Sequence, residues 1–316
     1  MSKPIFVMLF GFGWSATSPL AYTLQRLVKY CHGGYTKNFG YLFHERGYHD
    51  LNQKRIYNLL EQNKWENYQT NRKHHMNLTV DLEPLKDFPL SHLHNLVYNK
   101  PRTINNYISF YKELYNHVSK KGYKAVADYG VPFKYIKGST VREIQKHFHL
   151  KGIRIARDPI RRAFSAALSH KFLNVKDSLT DNGRLKNPEE YVRDYIKKYK
   201  NTSSQISDNL LLVMEELWEG DGSEKKKLES FINQPIPELW TNLYAPDKGH
   251  HLTWDLDNTY CPCPCQVHGQ DTYELTPDYY IELRETTFKP IYDSWLQHYG
   301  SLPLHWGQPI DYSKNL

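Results

Sequence analysis

The chain has 316 residues, 40% hydrophobic and 24% charged, which excludes a disordered or fibrous protein and allows a sizeable buried core. Its formal charge is +7 with the histidines neutral, a balance that suits anionic ligands. The apolar stretch at 4–10 is too short to cross a bilayer and lacks a signal-peptide cleavage pattern, so a soluble, cytoplasmic chain with no membrane span is the expectation.

Pro4–Phe10 (PIFVMLF) reads as a strand buried on both faces. Gly11-Phe-Gly-Trp-Ser-Ala-Thr-Ser follows, and Pro19 then opens a helix that Thr17 or Ser18 caps. Leu20, Leu24, Leu27, Val28 and Cys31 form its apolar stripe. Small residues in the connecting loop let backbone N–H groups approach an anion, the helix directs its positive end there, and Ser15, Thr17 and Ser18 add hydroxyls. The field is one-signed: Lys3, Arg26, Lys29 and Lys37 all precede Glu45, the first acidic residue.

Tyr35–Phe43 is predicted to be extended. Residues 44–100 are polar and weakly patterned, with a helix near Gln53–Asn63 and loops around it. Thr103–Lys120 reads as a helix, Tyr123–Ala127 as a strand ending at Asp128, and Thr140–Phe148 as a helix opened by a Thr140/Glu143 capping box. Gly152–Ala156 is the next strand and Arg157 marks its carboxyl end. Asp158 caps the following helix, Pro159 starts it, and Arg161, Ser165 and Ser169 share a face apart from its apolar stripe. Asn209–Met214 is a further strand and Ser223–Ile232 a helix. An irregular, cysteine-containing stretch at 244–272 precedes a long helix over Thr276–Tyr299, which Gly300 ends. Strands alternating with helices predict an α/β fold with a mostly parallel central sheet flanked by helices, a single domain over 1–316 with a polar insertion at 44–100.

Cys31 stands alone, whereas Cys261, Cys263 and Cys265 lie close together with His268 nearby. That spacing is not the two-residue spacing of zinc knuckles, and it leaves reduced thiols or a disulfide ahead of a metal.

Ligands of open α/β sheets gather at the carboxyl ends of strands, which singles out residues 11–18 and 157–165. Arg157-Asp158-Pro159, Arg162 and Ser165 resemble the 3′-phosphate-binding segment of sulfotransferases that use 3′-phosphoadenosine-5′-phosphosulfate (PAPS). The strand, loop and helix at 4–31 are similar to that family's phosphosulfate-binding loop. Lys37-Asn-Phe-Gly-Tyr-Leu resembles the second strand of its carbohydrate-modifying branch, Asp128–Tyr135 a segment of its acceptor cleft, and Leu211–Leu217 with Leu228–Ile232 its late strand and helix. The resemblance implies a P-loop-like fold and sulfuryl transfer from PAPS to a hydroxyl or amine of a carbohydrate or small molecule. The product would be adenosine 3′,5′-bisphosphate (PAP), without a metal, and no recognition motif supports nucleic acid as partner. It places Gly13, Trp14, Ser15, Ala16, Thr17, Ser18, Arg157 and Ser165 around the donor.

Two positions depart from the family. Trp14 stands where a Lys or Arg contacts the bridging oxygen, and Asn38 stands where a carboxylate base is common. Lys37 is the candidate replacement cation, and Asp128, then His44 or Glu45, the candidate base. Gly11-Phe-Gly-Trp-Ser-Ala16 also fits the dinucleotide fingerprint, but no acid follows at the spacing a ribose needs, and no Gly-Lys-Ser/Thr supports a P-loop kinase. A homologue that binds nucleotide or glycan without transfer is the other alternative.

Overall fold

Strand β1 (Ile5–Gly11) is apolar on both faces because it lies in the middle of a sheet. It occupies that place in a computed structural model describing residues 2–11, 17–35, 54, 57–58, 61–62, 81–98, 103–131, 138–163, 192–193, 195–196, 206–218, 221–237 and 277–308. The other strands are β2 (Cys31–His32), β3 (Ala125–Val131), β4 (His149–Ala156) and β5 (Asp208–Val213). Their order is β2-β3-β1-β4-β5 and every pairing is parallel, so the expected α/β sheet is present.

The alternation along β1 builds two cores. Phe6, Met8 and Phe10 pack with α2 (Leu90–Tyr98), α3 (Ile104–Val118) and α4 (Gly138–His147). Val7 and Leu9 join the cluster that holds Leu20 and Leu24 of the first helical segment and Leu228 and Ile232 of α6 (Ser223–Ile232). A third cluster joins Ala156, Ile160 and Ala163 to α7 (Pro277–Glu285), α8 (Lys289–Tyr299) and Trp306. A short helix α5 (Met214–Trp218) follows β5 directly.

Several expectations change. The first helix, α1 (Thr17–Tyr22), includes Thr17 and Ser18 in its first turn instead of being capped by them. It passes into a π-helical turn at Thr23–Leu27, where Val28 N–H bonds the Thr23 carbonyl at 3.0 Å. The chain then turns, and Cys31, read as the end of the helical stripe, is the first residue of β2, while Tyr35 lies in a turn. Residues 81–98, expected as loop, bury Leu82, Leu85, Phe88, Leu93, Leu96 and Val97. Strand β3 runs on to Val131, so Asp128 is mid-strand and not at its end. Helix α4 begins at Gly138, which puts Thr140 inside it and removes the capping box. The long C-terminal helix is two, since Phe288 turns into the core and a new helix starts at Lys289, with Pro290, which lacks an N–H, in its first turn. Gly300, at φ 80°, closes α8 as expected.

Connectivity singles out one place along the carboxyl edge of the sheet. The chain leaves β1 for β2 on one side, whereas β4 leads to β5 on the other, and their helices pack on opposite faces. The order reverses between β1 and β4, the place where open α/β sheets bind ligands.

Candidate functional site

Gly11 is paired with Ile155, so Arg157 begins two residues beyond the pair that ends β1. Among the sequence-predicted site residues, Thr17, Ser18, Asp128 and Arg157 are described. Thr17 is buried at the start of α1, and Ser18 follows it. Gly13, Trp14, Ser15, Ala16, Lys37, His44 and Ser165 lie outside the described residues, as do Asn38, Glu45 and the Cys261–Cys265 cluster.

Asp158 makes the predicted cap: its Oδ1 accepts from the N–H groups of Ile160 (3.1 Å) and Arg161 (3.0 Å). Its Oδ2 does something the sequence did not suggest. It accepts from the hydroxyls of Tyr280 (2.8 Å) and Tyr292 (2.7 Å) and from Gly307 N–H (3.3 Å), clasping α7, α8 and the final turn to the end of β4. Asp158 has no exposed surface, so these donors take the place of water.

A second buried carboxylate adjoins it. Glu215, on α5 just past the carboxyl end of β5, accepts at Oε1 from Asp158 N–H (3.0 Å) and at Oε2 from the Trp306 indole N–H (3.0 Å). Its Oε1 lies 4.0 Å from Arg157 Nε, and the Arg157 side chain is 15% exposed. The Arg157 carbonyl accepts from the Tyr195 hydroxyl. Burial pushes the Glu215 carboxyl up to about 7; the Asp158 carboxylate adds to this, while Arg157 and Arg161 oppose it. Arg161 is itself buried and donates from Nη2 to the Gln308 carbonyl (3.1 Å). Two arginines and two carboxylates thus meet just past the carboxyl ends of β4 and β5. An arginine here suits a multiply charged anion, because its fork matches phosphate oxygens and it keeps its proton when buried.

Asp128 is 1% exposed and pairs in register with Met8, three residues before the end of β1. Its Oδ2 accepts from the Tyr107 hydroxyl at 2.7 Å. Burial pushes its carboxyl up to about 7 against the pull of that hydrogen bond. The tyrosine comes from α3, whose N-terminus Thr103 caps by accepting from Asn106 N–H at 3.1 Å. The carboxylate therefore sits below the strand ends among the rings of the α3 core. On the opposite face Cys31 is a buried thiol, its Sγ 3.4 Å from the Tyr129 hydroxyl.

Glu215, Tyr280, Tyr292 and Trp306 were missed. For Glu215 a signal existed, an acid two residues past an apolar strand, at the carboxyl edge of the sheet. The aromatic donors carry none, because only the fold brings residues 277–308 back to β4.

Among the described residues no helix is long and apolar enough to cross a membrane, and no group of three or more His, Cys, Asp or Glu could hold a metal. No family model matches the chain, and no curated protein does. Two solved structures are similar at low identity. The sulfotransferase domain from the curacin biosynthetic pathway is 12% identical, with 96% of this chain and 100% of that chain covered and a TM-score of 0.49. The sulfotransferase domain from the Synechococcus PCC 7002 olefin synthase is 13% identical, with 96% and 98% covered and a TM-score of 0.44.

Proposed function

We propose that the chain transfers a sulfuryl group from PAPS to a hydroxyl or amine acceptor of the carbohydrate or small-molecule class. Arg157 would grip the 3′-phosphate of the donor. The observation that carries this reading is the place of Arg157: a mostly buried guanidinium at the carboxyl end of β4, next to the end of β1, where the strand order reverses. In the sequence, the resemblance at 157–165 supports the same ligand.

Sulfuryl transfer resembles phosphoryl transfer, in which the protein chiefly aligns the acceptor oxygen with the leaving phosphate and stabilises spreading negative charge. Arg157 would contribute binding and orientation. The helix starting at Thr17 would direct its N–H groups towards the sulfonate end. Lys37 is proposed as the cation beside the leaving oxygen and His44 as a base. For Asp128, a carboxyl held near 7 suits proton transfer at neutral pH, although its burial under α3 gives it a structural role as well.

Titration with PAP, ATP and NAD tests the reading. Under it, PAP at a hundred times its dissociation constant stabilises the fold by about 2.7 kcal/mol, and ATP and NAD do far less. Equal shifts from all three would contradict it. Incubation with labelled PAPS and a panel of hydroxyl and amine acceptors then separates transfer from binding alone.

A further inference from the structure

Long arginine side chains occupy many rotamers, and a phosphate grip works only if the guanidinium is aimed before the ligand arrives. Glu215 is suited to do this. It is fully buried, and both of its oxygens are fixed, one by the main chain directly after Arg157 and the other by Trp306. Such a carboxylate cannot swing to follow a guanidinium, so the guanidinium settles against it, and the 4.0 Å approach of Arg157 Nε to Oε1 is that contact. Trp306 is in turn packed against Trp295 of α8, with ring centroids 4.4 Å apart.

We propose that Glu215 is a positioning residue that aims Arg157 at the 3′-phosphate of the nucleotide, with Trp306 holding Glu215 in place. The C-terminal segment then acts on the donor site through Trp306 and Glu215. This rests on the proposed donor, and it assigns a discrimination: preference for a nucleotide bearing a 3′-phosphate over the same nucleotide without one.

Calorimetric titration with PAP and with adenosine 5′-monophosphate, which lacks the 3′-phosphate, reads that preference as an affinity ratio. The wild-type ratio is expected to be about tenfold or more, one decade being 1.4 kcal/mol, and Arg157→Ala brings it close to unity. Glu215→Gln keeps the volume but presents an amide NH₂ to groups that donate; it should lower the ratio about fivefold while monophosphate affinity stays within about twofold. A wild-type protein with no preference overturns both the donor assignment and this inference. If the wild type discriminates and Glu215→Gln keeps the ratio, or weakens both nucleotides by the same factor, the positioning role falls and the donor assignment stands. Should circular dichroism show that Glu215→Gln does not fold, Trp306→Phe decides. It removes the indole N–H and keeps a ring, so a ratio lowered about twofold or more supports the role and an unchanged ratio overturns it.

Discussion

Asp158→Ala removes the acceptor on which two segments distant in sequence converge. The side chain receives donors from Ile160, Arg161, Tyr280, Tyr292 and Gly307. Losing the helix cap costs about 1 kcal/mol. Each buried donor left without a partner costs roughly 1–3 kcal/mol, but not all of them are stranded. The Tyr280 and Tyr292 hydroxyls lie 3.3 Å apart and can pair with each other, and Gly307 N–H already donates to the Tyr280 hydroxyl at 2.9 Å. One donor's penalty plus the cap is the better count, giving about 2–4 kcal/mol in total. Relief of the like charge beside Glu215 offsets part of this. Urea unfolding followed by circular dichroism measures the loss, and Trp306 fluorescence should shift to the red as the final turn loosens. Asp158→Asn separates the two duties: Oδ1 can still cap, while an amide NH₂ in place of Oδ2 no longer accepts from the tyrosine hydroxyls or from Gly307 N–H. It should unfold more easily than wild type yet retain the hydrogen-exchange protection of the Ile160 and Arg161 amides. A loss under about 1 kcal/mol for Asp158→Ala would refute the clasp, because so small a change is typical of a surface site.

Two further perturbations follow from the geometry. Asp128 has its carboxyl raised from 3.8 to about 7, so the folded state holds its proton more tightly than the unfolded chain, and stability falls as pH rises through that window. Asp128→Asn keeps an acceptor for Tyr107 and should flatten the stability profile between those values, gaining on the order of 1–3 kcal/mol over wild type at pH 8; an unchanged profile in urea titrations would count against the buried carboxyl. At Gly33 an added Cβ would lie 2.3 Å from the Tyr129 ring, whose hydroxyl is held by the Cys31 carbonyl at 3.0 Å. Gly33→Ala should therefore lower the melting temperature by an amount matching roughly 1–3 kcal/mol, and calorimetry showing no change would mean that the ring moves aside freely.

What the sequence disclosed is mostly local. β1 is legible because an unbroken apolar run means burial on both faces, and α6 because Ser223–Ile232 keeps one helical stripe. The Asp158 cap is legible because its acceptor and donors lie within three residues. Cys31 was misassigned because it keeps the helical spacing, while the π turn that precedes the chain's exit into β2 leaves no mark in a stripe of apolar residues. Asp128 stopped the predicted strand because a carboxylate looks like a boundary, and its tolerance inside β3 depends on Tyr107, 21 residues away. The candidate site divides in the same way. Arg157 could be found from its position just past a strand, but the Glu215–Trp306 contact spans 91 residues and the Asp158–Tyr292 contact 134, distances at which only tertiary packing creates the partner.

Arg157 is proposed to hold a phosphate of the sulfuryl donor. Titrating PAP into wild type and Arg157→Ala by calorimetry tests it most directly. Loss of a buried charge pair costs about 2–5 kcal/mol, so the variant should bind at least about tenfold more weakly. Equal affinities in the two proteins, with the variant folded, would contradict the account.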